Sequence, residues 1–430
     1  MKAAEIGHKL LESKTGHLSV FLAMYLLLVV EYRRFVYYYY NYMLGFDFLA
    51  APVPILVGLF FLATLVCVMF LLPRKDSGSY TVSMIVAVLF CLPAIVMYQV
   101  GRVSIYVPTY TLLFLILLRT PLLEMKQWKL PRIPVRMQRF VLPAVCLLCL
   151  LPFPLAYGLD LDLSRFAMGE HTYEVRAEVL TKNNLLTAYL MGPLRVVLLP
   201  MLIVYGLIDL KRNWWMTLLG IAGMLLLFML NPQKSIFFSI AVVLAFFLFK
   251  SHYAKAGMFL YLMMAACLVA VLLNVVKGSL VAESMVLRRL LFIPVIVCDN
   301  YFTFFDGHPM CLLHSFLRHW TEYPYQVDPS HMIGSMMYNR TITNCNTGIV
   351  GDGFMNFGHL GALLFVAIGA LFVRCVEAQM PNARFFGLLA LLVFTFLNSA
   401  LFTTLLTHGG LVLLVAGCFL IPPSRQAERC

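Results

Sequence analysis

The stretch Val53-Pro-Ile-Leu-Val-Gly-Leu-Phe-Phe-Leu-Ala-Thr-Leu-Val-Cys-Val-Met-Phe-Leu-Leu72 contains no charged residue. A helix of about 20 apolar residues crosses the roughly 30 Å hydrocarbon core of a bilayer. Ala256 to Val276 repeats the pattern with one polar interruption, Asn274. An outer-membrane strand would alternate apolar and polar positions, and these runs do not, so the spanning unit is helical. Across all 430 residues, 62% are hydrophobic and 12% charged, with a mean hydropathy of +0.87. So few charges cannot clothe a water-soluble domain. The expected fold is an all-α polytopic membrane protein.

Working outward from these two runs, about 12 transmembrane helices can be drawn, at 17–34, 53–72, 80–98, 104–118, 140–158, 186–207, 214–230, 236–249, 256–276, 357–373, 386–403 and 408–422. The first is read as a retained span, because Glu31-Tyr-Arg-Arg-Phe35 stands where a signal peptide would carry small residues. No repeat relates the two halves, so residues 1–430 read as a single transmembrane domain. Two outward loops are expected, at 159–185 and at 277–356, the larger lying between spans 9 and 10.

Orientation follows from charge. Six Lys and Arg lie between Arg119 and Arg139, while the loop on the other side of the fifth span, Asp160 to Lys182, is acidic. The positive-inside bias therefore puts 119–139 and both termini in the cytoplasm. The net charge of +12 is spread over short connections and reports this orientation, so no nucleic-acid partner is expected. Tyr37 to Tyr40 fall at the outer interface, where tyrosine anchors to headgroups. Sugar stacking is the alternative use of these rings.

Most of the eleven cysteines lie in apolar runs, where they act as small hydrophobes. Cys311 and Cys345 share the long loop and are the candidate disulfide pair. The loop histidines 308, 314, 319, 331 and 359 show neither HxxH nor HExxH, so neither a metal nor a cofactor is expected. No P-loop, strand-borne GxGxxG or GxSxG occurs, which argues against nucleotide-driven transport and serine hydrolysis.

The residues able to do chemistry concentrate near the long loop. Lys234, at the outer end of the seventh span, and Arg288-Arg289, opening an apolar stretch, are cations at a level where they could hold a lipid diphosphate or reach headgroups. Arg195 lies inside a span between Pro193 and Pro200, where a charge needs a polar cavity or a partner. Pro309 to Trp320 has helical apolar spacing, which predicts a surface helix with His314 and Arg318 on one face. Asp352 stands among Gly348, Gly351 and Gly353, a setting that suits either close approach to a ligand or a helix cap.

Arg288-Arg-Leu-Leu-Phe-Ile-Pro294, Tyr301-Phe-Thr-Phe-Phe305 and Asn346-Thr-Gly-Ile-Val-Gly-Asp-Gly-Phe-Met-Asn-Phe-Gly-His-Leu-Gly361 together resemble the bacterial O-antigen (Wzy-type) polymerase family. The resemblance implies an inner-membrane glycosyltransferase that joins undecaprenyl-diphosphate-linked oligosaccharide units on the periplasmic face. Both donor and acceptor would be lipid-linked, and a chain-length regulator protein is a candidate partner. Asp352 is then the first choice of base, with His314 and His331 in reserve. Arg288, Arg289, Lys234, Arg195 and Arg318 are the candidate diphosphate ligands, and Tyr301, Asn346 and Asn356 the glycan or loop-motif residues. Asp299, Asp306, Glu322 and Asp328 are lesser candidates for the base. An O-antigen ligase-like transferase and a flippase or secondary transporter are the competing readings. The external position of the longest loop and the lack of related halves oppose a carrier.

Overall fold

Backbone N–H and C=O groups inside hydrocarbon must be paired within the protein. The computed structural model of the chain meets this demand with helices alone, and no strand occurs among the described residues. It describes residues 11–72, 76–158, 179, 181–182, 184–315, 317, 320, 322–339 and 343–422. Most of the expected outward loop 159–185 lies outside them.

In chain order the principal helices are α1 (Lys14–Tyr40), α2 (Pro52–Leu71), α3 (Gly78–Val100), α4 (Tyr106–Arg119), α5 (Val135–Tyr157), α6 (Leu185–Ile208), α7 (Leu210–Leu230), α8 (Ser235–Phe247) and α9 (His252–Lys277). There follow α10 (280–304), α11 (Pro329–Tyr338), α12 (Ile349–Gln379), α13 (Ala383–Asn398) and α14 (Leu401–Phe419). Among the described residues nine are long and apolar enough to cross a membrane, while α4, α8 and α13 are apolar but shorter, at 10–17 residues. Each of the twelve segments drawn from hydropathy overlaps one of these helices.

The helices pack as two compact units, each assembled from three separated stretches of chain. Unit 1 comprises residues 1–124, 251–374 and 396–401. Its centre is α3, buried at every residue but half-buried Tyr98, which packs against α1, α2, α4 and α9. Unit 2 comprises 125–250, 375–395 and 402–430. There α6 is central and packs against α5, α7 and α8.

Several helices contain a widened π turn, in which hydrogen bonds reach one residue further than in an α-helix. In α3, α6 and α10 the turn covers Ala87–Cys91, Leu194–Leu198 and Ser284–Phe292, and in each a proline follows two residues later, at Pro93, Pro200 and Pro294. Proline has no N–H to bond the carbonyl four residues back, and its ring crowds that carbonyl, so widening the preceding turn relieves both problems. Arg195, Arg288 and Arg289 sit in these turns, and Arg33 and Arg34 in another at Tyr32–Tyr37.

The segment expected to be the long loop is partly helical. Residues 280–304 form α10, whose Leu287, Leu291, Phe292, Val295, Ile296 and Tyr301 are buried in unit 1. Arg34 of α1 pairs with both Glu31 and Glu283, fastening α1 to the start of α10. Among the described residues of Pro309 to Trp320 the expected surface helix is not seen: 311–315 are turns, with Cys311 and Leu312 at φ 47° and 65°. Their N–H groups bond elsewhere, Met310 N–H to the carbonyl of Met355 at 2.8 Å and Cys311 N–H to that of Asn356 at 3.0 Å. Two successive residues in the left-handed region cannot belong to a right-handed helix. The expected disulfide is also absent, since Cys311 and Cys345 are both free, the first exposed and the second buried.

Candidate functional site

The π turn of α10 delivers two guanidinium groups to a cleft of about 1090 Å³ in unit 1. Arg288 stacks over the Tyr40 ring at 4.2 Å, its Nε donates to Ser284 Oγ at 3.0 Å, and its Nη1 contacts Met43 Sδ at 3.6 Å. Arg289 is exposed, with Nη1 3.7 Å from Met285 Sδ. Neither forms an ion pair with a carboxylate among the described residues. A stacked, planar guanidinium held in this way keeps its remaining N–H donors for an anion.

Besides α10, three other places in the chain form the cleft wall. The connection after α1 supplies Asn41, Tyr42 and Asp47; the end of α11 and the irregular segment before α12 supply Tyr338, Asn339, Asn344 and Asn346; Asn398 closes the end of α13. Primary amides offer both donors and acceptors, which suits a ligand rich in hydroxyls. Asp47 is exposed and is the acidic residue among those lining the cleft. Buried Tyr301 donates its hydroxyl to the Cys345 carbonyl at 3.1 Å and so fixes the Asn344–Asn346 wall.

Asp352 does not line this cleft. It is 2% exposed, and its carboxylate is fully engaged: Oδ2 accepts the Leu401 N–H at 2.7 Å and Oδ1 the Asn356 side-chain amide at 3.0 Å. It thereby caps α14, whose first N–H groups have no intrahelical partner. Asn356 in turn accepts the Leu312 N–H at 2.9 Å. The glycines serve close packing, because a Cβ on Gly361 would lie 2.1 Å from the Gly353 carbonyl oxygen. Gly358, at φ +60°, forms the bend in α12 that brings these two glycines together. Asp352 stands in the first turn of α12, yet the N–H groups its carboxylate meets include that of Leu401 at the start of α14.

The other expected residues are dispersed. His331 lies near the start of α11, at the opposite end from the cleft-lining residues. His314 is half-buried, with Nδ1 unpaired among the described residues, and burial lowers its pKa against the pull of Asp328. Arg195 and Lys234 belong to unit 2. There Arg195 Nη1 bonds Gln233 Oε1 at 2.5 Å and Ser235 Oγ at 2.9 Å, the residues either side of exposed Lys234. The polar partner demanded by a charge inside a span is thus neutral. Arg318 lies outside the described residues. Asn346 was expected; Asp47 and the other cleft asparagines, Asn41, Asn339, Asn344 and Asn398, were not foreseen. Asn339, Asn344 and Asn346 within eight residues, in a chain so poor in polar side chains, are the signal that pointed to them.

Comparison with protein families, curated proteins and solved structures finds no match to this chain.

Proposed function

We propose that the chain is a multi-pass glycosyltransferase of the bacterial inner membrane, with all twelve apolar helices crossing and both termini cytoplasmic. It polymerises undecaprenyl-diphosphate-linked oligosaccharide units into O-antigen or a related surface polysaccharide on the periplasmic face. The observation that carries this reading is the pair Arg288 and Arg289, without carboxylate partners, in a cleft walled by amides and tyrosines. Cations beside hydroxyl-binding groups suit a ligand that is a diphosphate at one end and a sugar at the other.

In the proposed transfer, a hydroxyl oxygen of the incoming unit forms a bond to the anomeric carbon of the growing glycan. The bond from that carbon to the lipid diphosphate breaks, and the diphosphate departs with the electron pair. Arg288 and Arg289 stabilise its charge as it develops, so a metal ion is not required. Asp47 takes the hydroxyl proton, the role that Asp352, tied to Leu401, is poorly placed to fill. Lys234 and Arg195 remain secondary diphosphate candidates in unit 2.

Deleting the gene and resolving surface polysaccharide on a gel tests the reading. A ladder that collapses to core plus one unit is expected. Loss of every unit would point to the ligase or flippase alternatives, and an unchanged ladder would overturn the proposal.

A further inference from the structure

We infer that a second surface of unit 1, built on Tyr106 and His359, holds a saccharide ring; this deepens, and rests on, the reading of the chain as a transferase of lipid-linked glycans. Tyr106 opens α4 and is 44% exposed. Its ring lies nearly parallel to buried Phe302 of α10, with centroids 5.9 Å apart and an interplanar angle of 13°. His359, just past the bend in α12, is exposed and comes within 4.3 Å of Tyr106. Its Nδ1 lies 3.2 Å from the Tyr110 hydroxyl. Phe302 is backed by Phe354 at 4.2 Å, so the platform rests on packed core.

A carboxylate borders these rings. Asp299, one turn before Phe302 on α10, accepts the Ser104 N–H through Oδ1 at 2.9 Å. Ser104 is two residues from Tyr106, and no other donor reaches the Asp299 carboxylate among the described residues. Burial pushes the Asp299 carboxyl up to about 6, against the help of Ser104. Its charged form is therefore short of donors, which sugar hydroxyls would supply.

The alternative occupant is a lipid chain, as for any aromatic belt at a membrane interface. An acyl chain gains from ring faces but nothing from a carboxylate, a tyrosine hydroxyl and an imidazole gathered beside them. A pyranose uses both, presenting C–H edges to the rings and hydroxyls to Asp299 and Tyr110. The surface also belongs to the cleft's end of unit 1: Val100, four residues before Ser104, accepts the Leu49 N–H at 2.7 Å, and Asp47 two residues earlier lines the cleft. A glycan long enough to leave the cleft has this surface to rest on.

The test is calorimetric titration of the purified full-length protein with the oligosaccharide released by mild acid from the host's lipid-linked unit. Tyr106→Ala should weaken binding about tenfold, which corresponds to about 1.4 kcal/mol, and His359→Gln and Asp299→Asn should also weaken it. Tyr106 is exposed, and unchanged unfolding temperatures in all three variants would confirm intact folds. Wild-type affinity in every variant, as a lipid-facing belt predicts, or no binding by the wild-type protein, overturns the inference. Because titration needs no turnover, its failure is separable from that of the polymerase reading, which the gene deletion decides.

Discussion

Two regions of unit 1 carry the residues that chemistry would be sought in, and they use charge in opposite ways. The glycine-rich segment around Asp352 spends its carboxylate on the fold, with both oxygens bonded and no opening to the cleft. The π turn around Arg288 leaves two cations without acidic partners at the edge of an open volume. A buried ion is costly unless it is hydrogen-bonded, so the two donors on the Asp352 carboxylate hold the fold together, whereas cations at the edge of an open volume keep N–H donors for an anion. The contrast extends to Arg195 of unit 2, whose guanidinium is held by neutral Gln233 and Ser235.

The strongest way to break this contrast is at the proton acceptor. Asp47→Asn should lower polymerisation of purified lipid-linked unit by about a hundred- to ten-thousandfold, as expected for a lost general base. If Asp47→Asn works normally while Asp352→Asn is inactive at full stability, the roles of the two carboxylates are reversed.

Next are the cations. Arg288→Ala and Arg289→Ala should each reduce turnover about a hundred- to a thousandfold, the effect of removing one electrostatic stabiliser. Arg288→Lys should remain impaired, because an ammonium offers neither the planar stack on Tyr40 nor a bidentate fork. Full-length polymer from both Ala variants, at equal membrane abundance, would reduce the pair to headgroup anchors.

Asp352→Ala sharpens the other side of the comparison. It leaves the Leu401 N–H without an acceptor in a buried site, so unfolding in detergent micelles should show a loss of about 1–3 kcal/mol. Asp352→Asn can still accept from Leu401 and should lose less. Unchanged stability in Asp352→Ala would remove the capping role.

The smallest effect is expected at Glu283, buried with Glu31 around Arg34. Burial and the neighbouring Glu31 push its carboxyl up from 4.5 to about 7, with Asn274 and Arg34 pulling the other way. Between those values the folded state holds a proton that the unfolded state releases. Stability from this group is therefore complete below pH 4.5 and lost as pH rises through about 7. The unfolding temperature should drift downward over that window in the wild-type protein and stay flatter in Glu283→Gln; equal slopes would show that Glu283 does not titrate there.

Much of this protein was legible in its residues alone. Uninterrupted runs such as 53–72 read as helices, because hydrocarbon admits only helices or closed barrels and these runs lack a strand's alternation, and every segment so drawn overlaps an apolar helix. Prolines at 93, 200 and 294 marked, without its being read, where helices would widen. Arg288, Arg289 and Asn346 stood out because polar residues are scarce in so apolar a chain, and all three line one cleft. Tertiary structure alone decided which side chains face that cleft. Asp47, Asn339 and Asn398 converge from distant parts of the sequence, whereas Asp352 is claimed by Leu401, forty-nine positions away. Local sequence records what a side chain can do, but whether its hydrogen bonds are left free depends on the backbone groups that folding brings beside it.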